Sequence, residues 1–173
     1  MNPTAIEHHL QSTNAADRQK LLDDEGAVFW VDWRCFESEI VDACETVLES
    51  GRLACEEGED EDLTITFGER RMPVPLTKSL HDRHLTLMAL NRVLTPDYEV
   101  RLVAASDGSD TLAFAVLPRD EWVRLADRFG AEKVDTAFPP LREDQDVFTT
   151  PWPNRKPRSA TLGQSKKPWW RFW

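Results

Sequence analysis

Two pairs of strand-like segments, each joined by a short turn, constrain the fold of this chain most strongly. Apolar and polar residues alternate over 63–67, and apolar residues then alternate with prolines over 72–76. A second pair, rich in apolar and β-branched residues, covers 98–105 and 111–117 on either side of a turn that contains Gly108. Strands joined by such short turns must run antiparallel. The sequence therefore predicts two β-hairpins.

Two prolines mark the second strand of the first hairpin, Pro73 and Pro75. Proline has no backbone N–H to donate to a neighbouring strand. We therefore expect this strand to lie at a sheet edge, or to have its non-bonding positions at the two prolines.

Helical periodicity surrounds the hairpins. The clearest pattern covers 35–49, where Phe36 and Cys44 belong to an apolar side and acidic residues form the other side. The segment 79–94, with Leu80 among its apolar residues, is apolar around most of its circumference and predicts the most buried helix. Shorter helical patterns cover two further segments, 14–25 and 118–130.

The order of these elements predicts an α+β fold. The segment 27–33 is dense in β-branched and aromatic residues and predicts a strand buried on both faces, and 133–141 is a candidate for a short additional strand. We expect one antiparallel sheet of about five strands, the two hairpins plus the N-terminal strand, packed against three helices. A chain of 173 residues has the usual size of one domain. The expected divisions are a helical N-terminal arm, a single α+β domain and a basic C-terminal tail rich in tryptophan and proline, at 1–25, 26–142 and 143–173.

Charge is distributed unevenly along the chain. There are 31 acidic and 21 basic residues, a net charge of -10, but residues 151–173, here called the tryptophan segment, hold six basic residues and no acidic one. Residues 1–150 therefore carry 31 acidic and 15 basic groups, a net charge of -16. Such a body attracts basic surfaces and repels the phosphates of nucleic acids and anionic lipids. The same acidity also keeps a protein soluble, so both interpretations stay open.

Acidic residues concentrate on the polar side of the 35–49 helix and in 56–62, where six of seven residues are acidic. We expect 56–62 to form an exposed loop, because its charges repel one another. If the helix face and the loop are adjacent, they form a docking surface for a basic protein or a mimic of a phosphate backbone. The predicted partner-binding residues, here called the acidic set, are Glu39, Asp42, Glu49, Glu56, Glu57, Glu59, Asp60, Glu61 and Asp62.

The tryptophan segment contains four of the seven tryptophans, Trp152, Trp169, Trp170 and Trp173. Large aromatic rings are costly to leave in water, so we expect them to act as anchors that something covers. Three surfaces are alternatives for covering these rings: the acidic surface of the same protein, a partner protein, or an anionic membrane surface, which binds basic and tryptophan-rich segments. The strongly negative body opposes the third.

Catalytic and metal-binding patterns are absent from the sequence. Cys35, Cys44 and Cys55 form neither a Cys-x-x-Cys pair nor a disulfide scaffold. His81 and His84 lie at a spacing that brings two imidazoles to neighbouring helix faces, but no third ligand has a matching spacing. There is no glycine-rich phosphate loop and no nucleophile motif. We therefore predict no catalytic residue, no metal site and no cofactor, in a protein that is not an enzyme.

Hydropathy predicts no transmembrane segment, because no run approaches the roughly 20 apolar residues that cross a bilayer. The first residues have no basic stretch followed by an apolar signal core. We expect a cytoplasmic protein.

These features together predict a non-catalytic acidic module that binds a basic partner protein. In size, charge and layout the chain is similar to small bacterial immunity proteins, which neutralise a toxin by covering it, although this similarity involves no motif and transfers no residue. An acidic secretion chaperone or adaptor is the first alternative, favoured by a dimer with a hydrophobic face. A small-ligand-binding protein or enzyme with a site near His81 and His84 is the second. The oligomeric state stays open.

Overall fold

The computed structural model describes residues 1–12, 14–32, 34–58, 62–107 and 111–149. Within these ranges the chain forms an α+β fold with two three-stranded antiparallel sheets. The helices are α1 (Pro3–Gln11), α2 (Ala15–Leu22), α3 (Glu37–Leu48), α4 (Asp82–Leu94), α5 (Arg119–Phe129) and α6 (Ala131–Ala137), with one 3-10 turn at Ala104–Ser106. The strands are β1 (Phe29–Asp32), β2 (Leu53–Glu57), β3 (Leu63–Phe67), β4 (Arg70–Val74), β5 (Tyr98–Leu102) and β6 (Thr111–Pro118).

The first sheet has the order β1-β6-β5 and contains the second predicted hairpin. β1 pairs antiparallel with β6, with Phe29 opposite Phe114. Successive side chains of β6 alternate between two hydrophobic cores, because Phe114 and Val116 belong to one and Ala113 and Ala115 to the other. The first sheet is therefore covered on both faces.

The second sheet has the order β2-β3-β4 and contains the first predicted hairpin. β4 lies at its edge, as Pro73 and Pro75 predict. The strand β2 pairs antiparallel with β3, with Leu53 opposite Phe67. The expectation of one sheet of about five strands is therefore wrong, since β2 completes a separate sheet with the first hairpin. Glu56 and Glu57, which the sequence predicts in a loop over 56–62, instead form the exposed end of β2.

Helices α3 and α4 join the two sheets. α3 contacts β1 and β6 of the first sheet and β2 of the second, and α4 contacts β3, β4 and β5. Their apolar sides, with Ile40, Cys44, Leu87 and Leu90, share one core with residues of both sheets. The 35–49 periodicity thus predicts correctly which side of α3 is buried from Ile40 onward, and 79–94 contains the most enclosed helix.

A second core lies on the opposite face of the first sheet, where α1, α2, α5 and α6 pack. The sequence predicts one N-terminal helix, whereas the chain forms two, and Ile6, Leu10 and Leu21 bury their side chains in this core. The segment expected as a short strand at 133–141 instead contains most of α6. Six helices rather than the expected three and an arm therefore surround the sheets in the described part of the chain.

The strand expected to be buried on both faces at 27–33 is shorter and only partly enclosed. Phe29 and Val31 are buried, but Trp30 between them is 40% exposed. β1 is an edge strand, with a neighbouring strand, β6, on one side only, so it is less enclosed than the central strand. In the ranges that the structure describes, no helix combines the length and the apolar character needed to cross a bilayer.

Candidate functional site

A cleft of about 970 Å³ lies where the N-terminal ends of α3 and α4 approach each other. Four pieces of chain line it: residues 34–38 at the start of α3, Glu57 and Gly58 at the end of β2, Leu63 of β3, and six residues before and within the start of α4, namely Leu76, Lys78, Ser79, Leu80, Asp82 and Arg83. A cavity of this size is in the range of sites that take a ligand or a segment of another chain.

Hydrogen bonds within the chain fix the turn before α3. The backbone N–H of Arg34 donates to Asp32 Oδ1 at 2.8 Å, and that of Cys35 donates to the Asp32 carbonyl at 3.1 Å. The N–H of Phe36 donates to Glu39 Oε2 at 2.8 Å, which satisfies a donor that the helix start leaves open. The backbone of Phe36 is thereby held in place while its side chain is 71% exposed.

Asp82 fixes the other side of the cleft. Its carboxylate accepts hydrogen bonds from the N–H of Thr77 at 2.8 Å, the Thr77 hydroxyl at 2.6 Å and the N–H of Ser79 at 3.1 Å. Burial alone would raise the pKa of Asp82, but these hydrogen bonds outweigh it and hold the pKa below its ordinary value. The connection between β4 and α4 is thus folded around a buried carboxylate, and it carries Leu80 outward.

Two exposed apolar side chains, Phe36 and Leu80, share the rim of this cleft. Leu80 is 63% exposed, and the described residues expose only two other large apolar side chains, Trp30 and Val123, to a comparable degree. The sequence predicts both rim residues to be buried on helix faces, which is wrong. The helices begin at Glu37 and Asp82, so both residues precede the helical backbone and the periodicity does not apply to them.

The charges in the cleft are mixed rather than uniformly acidic. Glu37 and Glu57 stand among three basic residues that also line it, namely Arg34, Lys78 and Arg83. Lys78 adopts a left-handed backbone conformation, with φ of 58°, in the connection before α4. An occupant of the cleft therefore meets the ring of Phe36, the aliphatic side chain of Leu80 and both signs of charge.

The structure separates the acidic set into residues near the cleft and residues remote from it. Glu57 lines the cleft, and Glu39 caps the helix that borders it. Asp42 lies exposed further along α3. Glu49 follows the opposite end of α3, and a helix of 12 residues is about 18 Å long. Glu56 pairs with Arg71 at the exposed face of the second sheet.

Cys55 shows that α3 and β2 bring acidic side chains together. Burial is the main cause that raises the pKa of the Cys55 thiol, and the negative charges of Asp42 and Glu57 raise it further. These two members of the acidic set therefore act on one point of the surface. Asp62 stands close to the same end of β2, because its carbonyl accepts from the N–H of Gly58 at 2.7 Å. Glu59, Asp60 and Glu61, and the tail residues Trp152, Trp169, Trp170 and Trp173, lie outside the described residues.

The two histidines of the alternative site lie beside the cleft, where His81 is partly exposed and His84 is enclosed. His81 Nδ1 is 2.7 Å from Asp146 Oδ2, and the rings of His81 and His84 are 5.3 Å apart. His84 is 1% exposed, and burial is the main cause that lowers its pKa. The described residues contain no group of three or more His, Cys, Asp and Glu side chains that could hold a metal ion.

The three cysteines are free, and they have different environments. Cys44 is buried in the core and its pKa is raised by burial. Cys35 is partly exposed and lines the cleft, and burial also raises the pKa of its thiol. A raised pKa lowers the fraction of thiolate, which is the nucleophilic form of a cysteine.

No protein-family model, curated protein or solved structure matches this chain.

Proposed function

We propose that this chain is a non-catalytic protein-binding module that captures a basic partner protein at the cleft between α3 and α4, in the manner of a bacterial immunity protein that neutralises a toxin. The observation that supports it is the pairing of Phe36 and Leu80 on one rim, with acidic side chains beside them. Protein interfaces combine an apolar centre with a polar rim in this way.

Phe36 is suited to be the anchor of such an interface. Full burial of a phenylalanine side chain contributes about 1.5–3 kcal/mol relative to leaving it in water. The hydrogen bond to Glu39 already fixes its backbone, so binding costs little further conformational entropy of the main chain. A small number of such anchors supplies most of the free energy in known interfaces.

The acidic residues near the cleft supply attraction at longer range. Asp42, Glu57 and Asp62 lie on the side of the molecule that α3 and β2 form, and residues 1–150 as a whole carry a net charge of -16. Complementary charge of this kind mainly accelerates association, while the apolar contacts slow dissociation. A basic protein with an exposed apolar patch is the partner that fits both features.

Single substitutions at the rim test the proposal. Full-length protein with Phe36→Ser or Leu80→Ser is compared with wild type in affinity capture from cells that make the protein, with Val123→Ser as control. Val123 is 60% exposed on α5, which packs on the other side of the first sheet. We expect a basic protein that wild type and Val123→Ser retain and that both rim variants lose, with an affinity at least about fivefold weaker, as for an interface anchor. Equal retention by all four proteins would contradict the proposal.

A chaperone-like or adaptor function is the second candidate, and the edge position of β2 favours it. β2 ends the strand order of its sheet, and its last residue, Glu57, lines the cleft. An extended partner segment that enters the cleft could continue along this edge by strand addition. Pairing of this kind would protect the outward N–H groups of β2 from hydrogen exchange, whereas capture by the rim side chains alone would leave them unprotected.

A further inference from the structure

We propose that the tryptophan segment, residues 151–173, occupies the cleft between α3 and α4 of the same molecule, with its rings against Phe36 and Leu80. This intramolecular contact needs no partner protein, so it stands or fails separately from the proposed function. If both hold, the partner has to displace the chain's own segment.

The first support is the place where the described chain ends. Asp146 contacts His81 at 2.7 Å, and the residue before His81 is Leu80 of the cleft rim. Val147 is buried in the first core, and the ring of Phe148 lies 6.3 Å from that of Phe114. The chain is therefore held beside the cleft up to residue 148, and the tryptophan segment starts from there.

The second support is reach. The 24 residues that follow Thr149 span at most about 80 Å when fully extended, at about 3.3 Å per residue. Trp152 is three residues from Thr149, a span of about 10 Å, and Trp169 is 20 residues from it, a span of up to about 66 Å at about 3.3 Å per residue. A segment tethered this way has an effective concentration near the cleft in the millimolar range. Even a weak contact is then largely formed.

The third support is complementary chemistry. The tryptophan segment combines four tryptophans and Phe172 with six cations and no acid. The cleft offers two exposed apolar side chains to the rings, and the acidic side chains of Glu37 and Glu57 to the cations. Arg34 and Arg83 also line the cleft, and a guanidinium stacks favourably on an indole face. Because these cations would repel lysine and arginine, we expect the rings to enter the cleft and the cations to lie toward Asp42 and Glu57.

The cysteines provide an internal test, because Cys35 lines the cleft and Cys55 does not, although both are partly exposed. Alkylation rates of the two thiols are measured by mass spectrometry in the full-length chain and in a full-length variant with the four tail tryptophans replaced by alanine. A full-length Ser159→Ala/Thr161→Ala variant, which keeps every ring and cation of the segment, is the matched control.

We expect alkylation of Cys35 to accelerate about tenfold in the tryptophan variant, which is the protection that a tethered segment gives at about 1 mM effective concentration and a Kd of about 0.1 mM. The rates in the control should stay at the wild-type values. Cys55 lies outside the cleft but is acted on by Asp42 and Glu57, toward which the cations of the segment are expected to lie, so its rate should change much less than that of Cys35. A synthetic peptide of residues 151–173, added to the tryptophan variant, should restore protection of Cys35 and again change Cys55 much less.

Three outcomes would overturn the proposal. Cys35 could react equally fast in wild type and in the tryptophan variant, which would leave the cleft open. Cys35 and Cys55 could accelerate together with the buried Cys44, which would indicate a loosened fold rather than an uncovered cleft. Protection of Cys35 that disappears on dilution of the wild-type protein would assign the cover to a second copy of the chain instead of to the same molecule.

Discussion

Glu56 on β2 and Arg71 on β4 form a two-point ion pair across the intervening strand β3, with the guanidinium nitrogens of Arg71 3.0 and 2.6 Å from the two carboxylate oxygens of Glu56. The sequence places Glu56 among the acids that bind a partner. Its charge is instead already matched within the second sheet. Glu57, the next residue, lines the cleft.

Replacement of Arg71 by glutamine should raise the pKa of Glu56 toward its ordinary value. Hydrogen bonds from Arg71, and then its positive charge, hold the pKa of Glu56 below that value in the wild-type protein. Carboxyl titration by NMR measures the change, and Arg70→Gln is the control, because Arg70 on the same strand pairs with Asp97. An identical Glu56 titration curve in Arg71→Gln would show that the pair does not persist in solution.

The division of the acidic set predicts which charges accelerate partner association. Asp42→Asn/Glu57→Gln should lower the association rate for the basic protein recovered by cleft-dependent capture, by about threefold to tenfold at low salt. Glu49→Gln/Glu56→Gln changes the net charge equally and should have a smaller effect. Glu49 lies about 18 Å along α3 from the cleft, beyond the screening length of about 10 Å at 0.1 M salt.

Stopped-flow or surface binding kinetics at several salt concentrations would measure both variants. The difference between them should shrink as salt increases. Equal decreases for the two variants would mean that only the net charge matters and that the acids near the cleft have no special role.

The sequence predicts the local elements better than their assembly. The hairpins, the edge position of β4 and the buried side of α3 follow from alternation, proline chemistry and helical period, which are properties of neighbouring residues. The strand β2 is missed because its acidic end resembles a loop, and only pairing with β3 makes it a strand. Two-sided burial is assigned to 27–33, whereas the unbroken apolar run of β6 is the true sign of a strand between two layers.

The cleft could be predicted only in part. Of the glutamates that line it, Glu57 belongs to the acidic set that the sequence predicts, whereas Glu37 does not. Phe36 and Leu80 are missed because each stands at most two residues before a helix, where an apolar residue has the same spacing as the helical face that follows. The exact start of a helix depends on caps such as the Glu39 contact to Phe36, and periodicity fixes such boundaries poorly.

Asp82→Asn should destabilise the protein by about 1–3 kcal/mol at neutral pH, because the buried carboxylate accepts three hydrogen bonds that an amide satisfies only in part. Chemical denaturation measures the loss, and Asp127→Asn, at an exposed position of α5, should cost little. Since the pKa of Asp82 is lowered in the fold, its contribution is present above the ordinary value of 3.8 and is lost as pH falls through the folded pKa. Equal stability of the two variants at neutral pH would contradict this account of the connection before α4.

His84 should make the fold less stable in mild acid. Burial lowers its pKa, and the charge of His81 lowers it further, while Asp146 and the backbone at Arg142 and Glu143 act in the opposite direction. Between the ordinary value of 6.5 and the lower pKa of the folded state, His84 is protonated in the unfolded chain and neutral in the folded protein. The free energy of unfolding therefore falls as pH decreases below that value, and the decline ends below the folded pKa.

The slope of this decline is at most about 1.4 kcal/mol per pH unit for one proton. His84→Gln should remove it, so urea unfolding midpoints measured from neutral to mildly acidic pH become flatter even if the variant is less stable throughout. His8→Gln, at an exposed position of α1, should keep the wild-type slope. An unchanged slope in His84→Gln would mean that another group, and not this enclosed imidazole beside the cleft, makes the protein sensitive to acid.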